Sequence, residues 1–213
     1  MMKNILALVA LLLVSLPLSA QNYQKNILGI RGGLNIAKGV VELGEITKDL
    51  DNRVGFHLGV SDQILLTSKH PLYLDLGLGI TSVGGELDGV KDRPLYIQIP
   101  VLLNYHFSIT PDVNIQPFGG FYYALGISGK TEDEDGYKYD YFGDESFKKR
   151  SDLGLRFGVG VTYKKIYFGF QYDWGLYNVM TDDITISDSY NSLGGAKLER
   201  YNRCFSISIG YNF

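Results

Sequence analysis

The sequence predicts an all-β protein, an eight-stranded antiparallel up-and-down transmembrane β-barrel. Three observations support this prediction. Long segments alternate strictly between apolar and polar residues, long and short connections between these segments alternate along the chain, and aromatic residues gather near the segment ends. Together these are the features of a barrel in the outer membrane of a Gram-negative cell.

The clearest pattern is a hairpin formed by residues 151–163 and 166–176, with a two-residue turn at Lys164 and Lys165. One face of each segment is apolar and aromatic, whereas the other consists of glycine, charged and amide residues. Each segment is about twice the usual strand length of roughly 5–6 residues. An apolar face toward lipid and a polar face toward the interior is typical of a transmembrane barrel strand.

Six further segments show the same alternation. Asp62 falls on an outward face, which predicts either a position near the membrane interface or a bulge that shifts the phase. Pro100 and Pro117 each remove a ladder donor, so we expect local bulges at both. The six predicted strands are 26–37, 53–65, 72–81, 95–107, 113–127 and 200–213.

The predicted connections alternate in length without exception. Outer-membrane barrels have short periplasmic turns and longer external loops, so this order predicts that both termini are periplasmic. The long connections are 38–52, 82–94, 128–150 and 179–199, and the short ones are 67–71, 108–112 and 164–165.

Residues 1–20 have the pattern of a secretory signal peptide that is cleaved after Ala20. A positive residue, Lys3, precedes an apolar run over residues 5–16 and then small residues. This run is shorter than the roughly 20 residues that a membrane-spanning helix needs. We therefore expect residues 21–213 to form the barrel domain.

Composition narrows the possible partners. The 213 residues carry a formal net charge of −3, which gives no electrostatic reason to expect nucleic acid. Cys204 is the only cysteine, so an intrachain disulfide is impossible.

Several motifs carry a resemblance to a known family. They are the run Ile97–Leu103, the start of a strand at Pro117–Gly120, the strand segment Gly158–Val161 and the terminus Ile209–Phe213. With these motifs the chain resembles the PorT-like group of small outer-membrane β-barrel domain proteins over essentially its whole mature length. The resemblance implies an integral outer-membrane protein.

The same resemblance bears on the C-terminus and on a cellular role. The terminal aromatic residues Tyr211 and Phe213 resemble the signal that the outer-membrane insertion machinery reads. The member that gives the group its name takes part in protein secretion, so a link to secretion or envelope integrity is part of the hypothesis.

The predicted interior is polar. Among the inward residues are Arg31 and Arg156 with Asp75 and Asp173, which could pair into a structural polar network. Eight strands leave an interior that side chains fill, and an unpaired buried charge is strongly unfavourable. The alternative is an ion or proton path. The other inward residues are His57, Tyr73, Gln98, Asn104, Tyr167 and Gln171.

The sequence indicates no enzyme, metal or cofactor. The three histidines, His57, His70 and His106, are predicted at different heights, and no Ser/His/Asp arrangement can be assembled from the pattern. Residues 131–140 match a calcium-binding loop only in part, so a solvated acidic loop is the preferred interpretation.

The leading functional hypothesis is a structural or interaction protein. Its long external loops, with Tyr137, Tyr139 and Tyr141, would engage an extracellular or envelope partner. Outer-membrane lipid and the insertion machinery are the other expected partners. The first alternative is a soluble lipocalin-like periplasmic ligand binder with the aromatic face turned inward, and the second is a narrow pore or a barrel enzyme.

Overall fold

The structure, a computed structural model, describes residues 23–44, 46–87, 89–143, 148–181, 185–186 and 196–213. The predicted signal peptide lies outside these residues. No described helix is long and apolar enough to cross a membrane. The strands are β1 (Asn26–Leu43), β2 (Ile46–Asp49), β3 (Arg53–Leu65), β4 (Leu72–Ser82), β5 (Glu86–Leu87), β6 (Val90–Tyr105), β7 (Phe107–Thr110), β8 (Val113–Glu132), β9 (Lys138–Asp140), β10 (Ser151–Tyr163), β11 (Ile166–Gly175), β12 (Thr185–Ile186) and β13 (Ala196–Asn212).

Eight of these strands close into an antiparallel ring. Their order is β1, β3, β4, β6, β8, β10, β11 and β13, and β13 pairs back onto β1 from Gly29–Asn212 to Leu43–Leu198. The other strands are short and extend the hairpins beyond the ring. The predicted eight-stranded antiparallel architecture is therefore confirmed.

The ring turns its apolar face outward. The outward positions of all eight strands are mostly exposed or half-exposed, whereas the inward positions are mostly buried and polar. A lipocalin-like binder needs the opposite arrangement, so that alternative is wrong. Representative outward residues are Leu34, Leu58, Leu78, Val101, Phe121, Phe157, Phe168 and Ile209, and representative inward ones are Asn35, Gln63, Gln98, Asn104, Gln116, Thr162 and Ser206.

All four predicted long connections contain more strand than expected, and in the last of them β13 already begins at Ala196. β1 continues to Leu43 and pairs with β2, β6 already begins at Val90, and β8 continues to Glu132 and pairs with β9. Beyond the bilayer a strand still satisfies its backbone groups by pairing, but it no longer needs a lipid-facing apolar row. The alternation that reveals a strand is therefore lost before the strand ends.

The bulges expected at the two prolines are absent. The β8–β10 ladder passes Pro117 in unbroken register. The β4–β6 ladder has a gap beside Pro100, but the register is the same on both sides, from Leu76–Val101 to Gly79–Gln98. Each proline removes a donor without inserting a residue, so the register does not shift.

Two other local predictions are settled by the pairing. The β6–β8 register shifts between Leu95 and Tyr96, a position that the sequence did not indicate. The strand predicted over 95–107 ends at Tyr105, and Phe107 begins the separate strand β7. Asp62 lies in unshifted register and accepts a hydrogen bond from Asn26 Nδ2 at 3.4 Å, so the bulge considered there is also excluded.

Candidate functional site

A buried ion pair lies in the middle of the lumen. Arg156 on β10 and Asp173 on β11 are direct neighbours in the ladder. Arg156 Nε donates to Asp173 Oδ1 at 2.7 Å, and Nη2 donates to Asp173 Oδ2 and to Gln98 Oε1, both at 2.6 Å. This bidentate geometry offsets the desolvation of both charges.

The other two charges predicted for the lumen are not hydrogen-bonded to each other. Arg31 Nη1 donates to Asn212 Oδ1 at 2.8 Å, and the guanidinium lies 3.8 Å from the ring centroid of Tyr167. Asp75 accepts a hydrogen bond from Gln63 Nε2 at 3.0 Å. Of the four charges predicted to form a network, the structure therefore joins Arg156 and Asp173 directly, whereas Arg31 and Asp75 have amide and aromatic partners.

A second polar cluster joins three neighbouring strands. His57 on β3 and Ser208 on β13 both pair with Gly33 of β1, from opposite sides. His57 Nε2 lies 2.9 Å from Ser208 Oγ, and its Nδ1 lies 2.8 Å from Asn35 Oδ1. No Ser/His arrangement was predicted from the strand pattern, but the structure brings Ser208 and His57 together, with Asn35 in the third position.

Gly33 makes the contact between His57 and Ser208 possible. A Cβ atom at Gly33 would lie 2.8 Å from His57 Cε1 and 1.9 Å from the Ile207 carbonyl oxygen. Any side chain there would occupy the space through which the imidazole crosses β1. The only sequence signal for this site was a glycine at an inward position between polar residues.

The half of the lumen nearest the chain termini is filled by side chains. Tyr73 stacks on His106 with ring centroids 4.3 Å apart, and both are buried. Around them lie the buried amides Gln63, Asn104 and Gln116. We find no room for an open channel among these described residues.

The other end of the lumen, where the long connections lie, is closed by a folded-back segment. Tyr141 and Phe142 follow β9, and both are buried. Their rings meet edge to face with centroids 4.8 Å apart, and the Phe142 ring also meets Tyr96 edge to face, with centroids 5.7 Å apart. Two glycines of β8 make room for them. A Cβ at Gly126 would lie 2.1 Å from Phe142 Cζ, and one at Gly129 would lie 2.9 Å from Tyr141 Cβ.

A cluster of charges holds this closure. Asp92 on β6 accepts hydrogen bonds from Lys148 Nζ at 2.9 Å, from Thr131 Oγ1 at 2.7 Å and from Arg200 Nη1. Burial opposes ionisation of Asp92, but the cations Arg200 and Lys148 outweigh it and hold the pKa of its carboxyl below the ordinary value. Burial lowers the pKa of Lys148.

The acidic segment 131–140 forms a hairpin between β8 and β9. Asp133 Oδ1 accepts a hydrogen bond from the Tyr137 amide at 2.8 Å, Oδ2 accepts one from Tyr139 Oη at 3.3 Å, and Gly136 has a φ of +84°. Within the described residues no group of three or more His, Cys, Asp or Glu side chains could hold a metal ion.

The C-terminal aromatic residues lie on the outer surface at the seam of the ring. Tyr211 and Phe213 are exposed and meet edge to face at 5.3 Å. The Phe213 amide donates to the Leu28 carbonyl oxygen at 2.8 Å, which extends the β13–β1 closure. Their role as an insertion signal stays a prediction.

Comparison with solved structures finds small barrels at low sequence identity. OprG of Pseudomonas aeruginosa is 14% identical, with 92% of this chain and 99% of OprG covered and a TM-score of 0.48. Neisserial surface protein A is 13% identical, with 89% and 98% covered and a TM-score of 0.45. Ail, the attachment invasion locus protein of Yersinia pestis, is 15% identical, with 89% and 100% covered and a TM-score of 0.42.

The family assignment rests on the sequence match. No curated protein matches the chain. The family model described as "Outer membrane protein beta-barrel domain" matches residues 19–181, which is most of the sequence. The narrower PorT-like resemblance stays a prediction. With its closed eight-stranded ring and apolar exterior, the chain belongs to the outer-membrane protein β-barrel domain family and is an integral protein of the Gram-negative outer membrane.

Proposed function

We propose that this barrel is a contact protein whose external hairpin, residues 132–142, engages a partner while its lumen stays closed. One observation carries the proposal. The end of the hairpin is buried in the mouth of the barrel, with Tyr141 1% exposed, whereas Tyr137 and Tyr139 of the same hairpin are 65% and 58% exposed. The segment thus closes the lumen and presents two large aromatic rings to the outside.

The hairpin is well suited to recognition because it is already ordered. The Asp133 carboxylate holds both Tyr137 and Tyr139, and β9 pairs with β8. A rigid tyrosine offers a large contact area with little loss of conformational entropy on binding. Exposed tyrosines with a polar tip are also enriched at protein interfaces.

The proposal includes an orientation. Both termini would be periplasmic, residues 1–20 would be cleaved, and the hairpin would face outward. On intact cells, trypsin should cleave near Lys138 and spare the turn Lys164–Lys165 until the outer membrane is permeabilised. Cleavage at both places on intact cells would contradict the orientation. N-terminal sequencing of the mature protein should begin at Gln21.

A photo-crosslinking residue at position 137, placed in the full chain in living cells, tests the contact role. We expect one or a few discrete adducts. The matched control is Ile109, which is also exposed but lies in the short strand β7 at the opposite end of the barrel. Adducts that are absent at 137, or identical at 137 and 109, would overturn the proposal. A secretion component among the adducts would support the link to secretion.

The pore alternative has its own measurement. The described lumen is filled near Tyr73 and His106 and closed by Tyr141 and Phe142. The purified protein should therefore give no steady single-channel steps in a planar bilayer. Regular conductance steps at neutral pH would favour the narrow pore.

A further inference from the structure

We propose that Ser208, His57 and Asn35 form a nucleophilic centre inside the lumen that accepts the acyl group of a short-chain ester. The three side chains occupy the positions of nucleophile, general base and base-orienting group, at 2.9 and 2.8 Å. An asparagine as the third member is found in papain-like proteases, where it orients the catalytic histidine. This activity is independent of the contact role of the external hairpin.

The hydrogen-bond network determines which way the protons point. Asn35 Nδ2 donates to the Phe56 carbonyl oxygen at 2.9 Å, to Thr81 Oγ1 at 2.9 Å and to the Ser82 carbonyl oxygen at 3.1 Å. These acceptors place the amide nitrogen on one side and Oδ1 on the other, toward His57.

This orientation sets the tautomer of the histidine. Because Asn35 Oδ1 can only accept, His57 Nδ1 must carry the proton that joins them. The Nε2 atom of the neutral ring is then an acceptor, so Ser208 Oγ donates its proton to it. The network thus holds the one tautomer in which His57 can take the proton of Ser208.

A cavity of about 90 Å³ lies beside these groups. Ser208, His57 and Asn35 line it, together with Arg31 and Arg156. Arg31 lines the cavity, and its Nη2 has no hydrogen-bond partner in the described part of the chain, so this guanidinium is the donor that we assign to the developing oxyanion. The cavity's volume limits the substrate to a small acyl group, such as acetyl.

The wall of the cavity is thin on the side of β3, β4 and β6. Gly59, Gly77 and Gly79 border it, so no side chain fills the lumen there. The same wall contains the gap in the β4–β6 ladder beside Pro100. The outward residues Leu58, Leu78 and Ile80 also line the cavity, so this side of the barrel wall is where we place the approach of a small ester.

The reaction balances with water as the only co-reactant. Ser208 Oγ attacks the ester carbonyl carbon, its proton passes to His57 Nε2, and the carbonyl electron pair moves to the oxygen. Collapse expels the alkoxide, which takes the proton from His57 and leaves as the alcohol. Water then adds to the acyl-Ser208, giving one proton to His57, and the acid leaves as Ser208 recovers its proton.

Labelling of the folded full-length barrel with methanesulfonyl fluoride, a serine-directed reagent about as small as an acetyl donor, tests the proposal, and peptide mapping locates the adduct. Ser61 is an internal control, because it lines the same cavity and its Oγ has no hydrogen-bond partner among the described residues. We expect labelling at Ser208 and not at Ser61. His57→Gln should slow it about 100-fold, the lower end of what a general base contributes.

Asn35 acts through His57, which makes it a positioning residue, and substitutions of Asn35 test this role. Asn35→Ala should slow labelling and change its pH profile, and Asn35→Asp should restore much of the rate. The gel mobility of the unboiled protein shows whether each variant folds. If a variant does not fold, the pH dependence of the labelling rate of wild-type Ser208 still tests whether a histidine acts as the base. Hydrolysis of 4-nitrophenyl acetate should disappear in Ser208→Ala.

Equal labelling of Ser208 and Ser61 would mean that access, and not activation, decides reactivity, and it would overturn the proposal. No labelling of the folded protein together with no hydrolysis would overturn it as well. Neither result would affect crosslinking at position 137, so the two proposals fail separately.

Discussion

Replacement of Asp173 by asparagine should destabilise the barrel more than any exposed charge change. Asp173 accepts two of the three hydrogen bonds that the Arg156 guanidinium makes, at 2.7 and 2.6 Å, and both residues are buried. Removing one partner of a buried ion pair costs about 3–5 kcal/mol, because the other charge stays buried without compensation. Asparagine retains one acceptor, so we expect the lower end, about 3 kcal/mol.

Urea unfolding in phospholipid vesicles, followed by gel mobility without boiling, measures this effect. The exposed variant Asp140→Asn is the control and should change the unfolding free energy by less than about 0.5 kcal/mol. The double variant Arg156→Met/Asp173→Leu removes both charges and should lie much closer to the wild type than Asp173→Asn. If Asp173→Asn were as stable as the wild type, the ion pair would not be compensating a buried charge, and the reasoning would be refuted.

Three further predictions concern the membrane face and the closed mouth. Leu76→Arg, in the middle of β4, should lower the unfolding free energy by about 2–4 kcal/mol in the same assay, whereas Leu66→Arg, beyond the end of β3, should lower it by no more than about 1 kcal/mol. Equal losses would contradict the position of Leu76 near the middle of the bilayer. The pKa of Asp92 is held below its ordinary value, so the stability that its carboxylate contributes is present above about pH 4 and is lost as the pH falls through the lowered pKa. The difference in unfolding free energy between wild type and Asp92→Asn should therefore shrink in acid. A difference that stays constant with pH would contradict the role of the Asp92 carboxylate. Gly126→Ala places a methyl group where Phe142 packs and should make the 141–142 segment susceptible to chymotrypsin, with unchanged protection as the contrary result.

Strand alternation accounts for most of what the sequence revealed about the fold. In β10 and β11 every second residue faces lipid, and the structure shows the same phase, with Phe157 and Phe168 exposed and Arg156 and Asp173 buried. The reason is that side chains point alternately to the two faces of a strand, so apolar and polar residues alternate in the sequence wherever one face meets lipid and the other a polar lumen.

The sequence was less informative where the alternation of apolar and polar residues ends before the strand does. On the side of the long connections, β1 and β8 extend past the apolar band, where both faces of a strand can be polar, and the predicted strands stopped too early. Proline was also misinterpreted, because Pro100 and Pro117 cost ladder bonds without changing the residue count that sets register.

The sequence by itself thus determined which side chains enter the lumen, because direction follows from the alternation along each strand. Only the tertiary structure decided which of them meet. The stagger of neighbouring strands sets the height of each residue, so Arg156 reaches Asp173 whereas Arg31 reaches Asn212. The same stagger places His57 and Ser208 on either side of Gly33, a contact between residues 151 positions apart that no local pattern encodes.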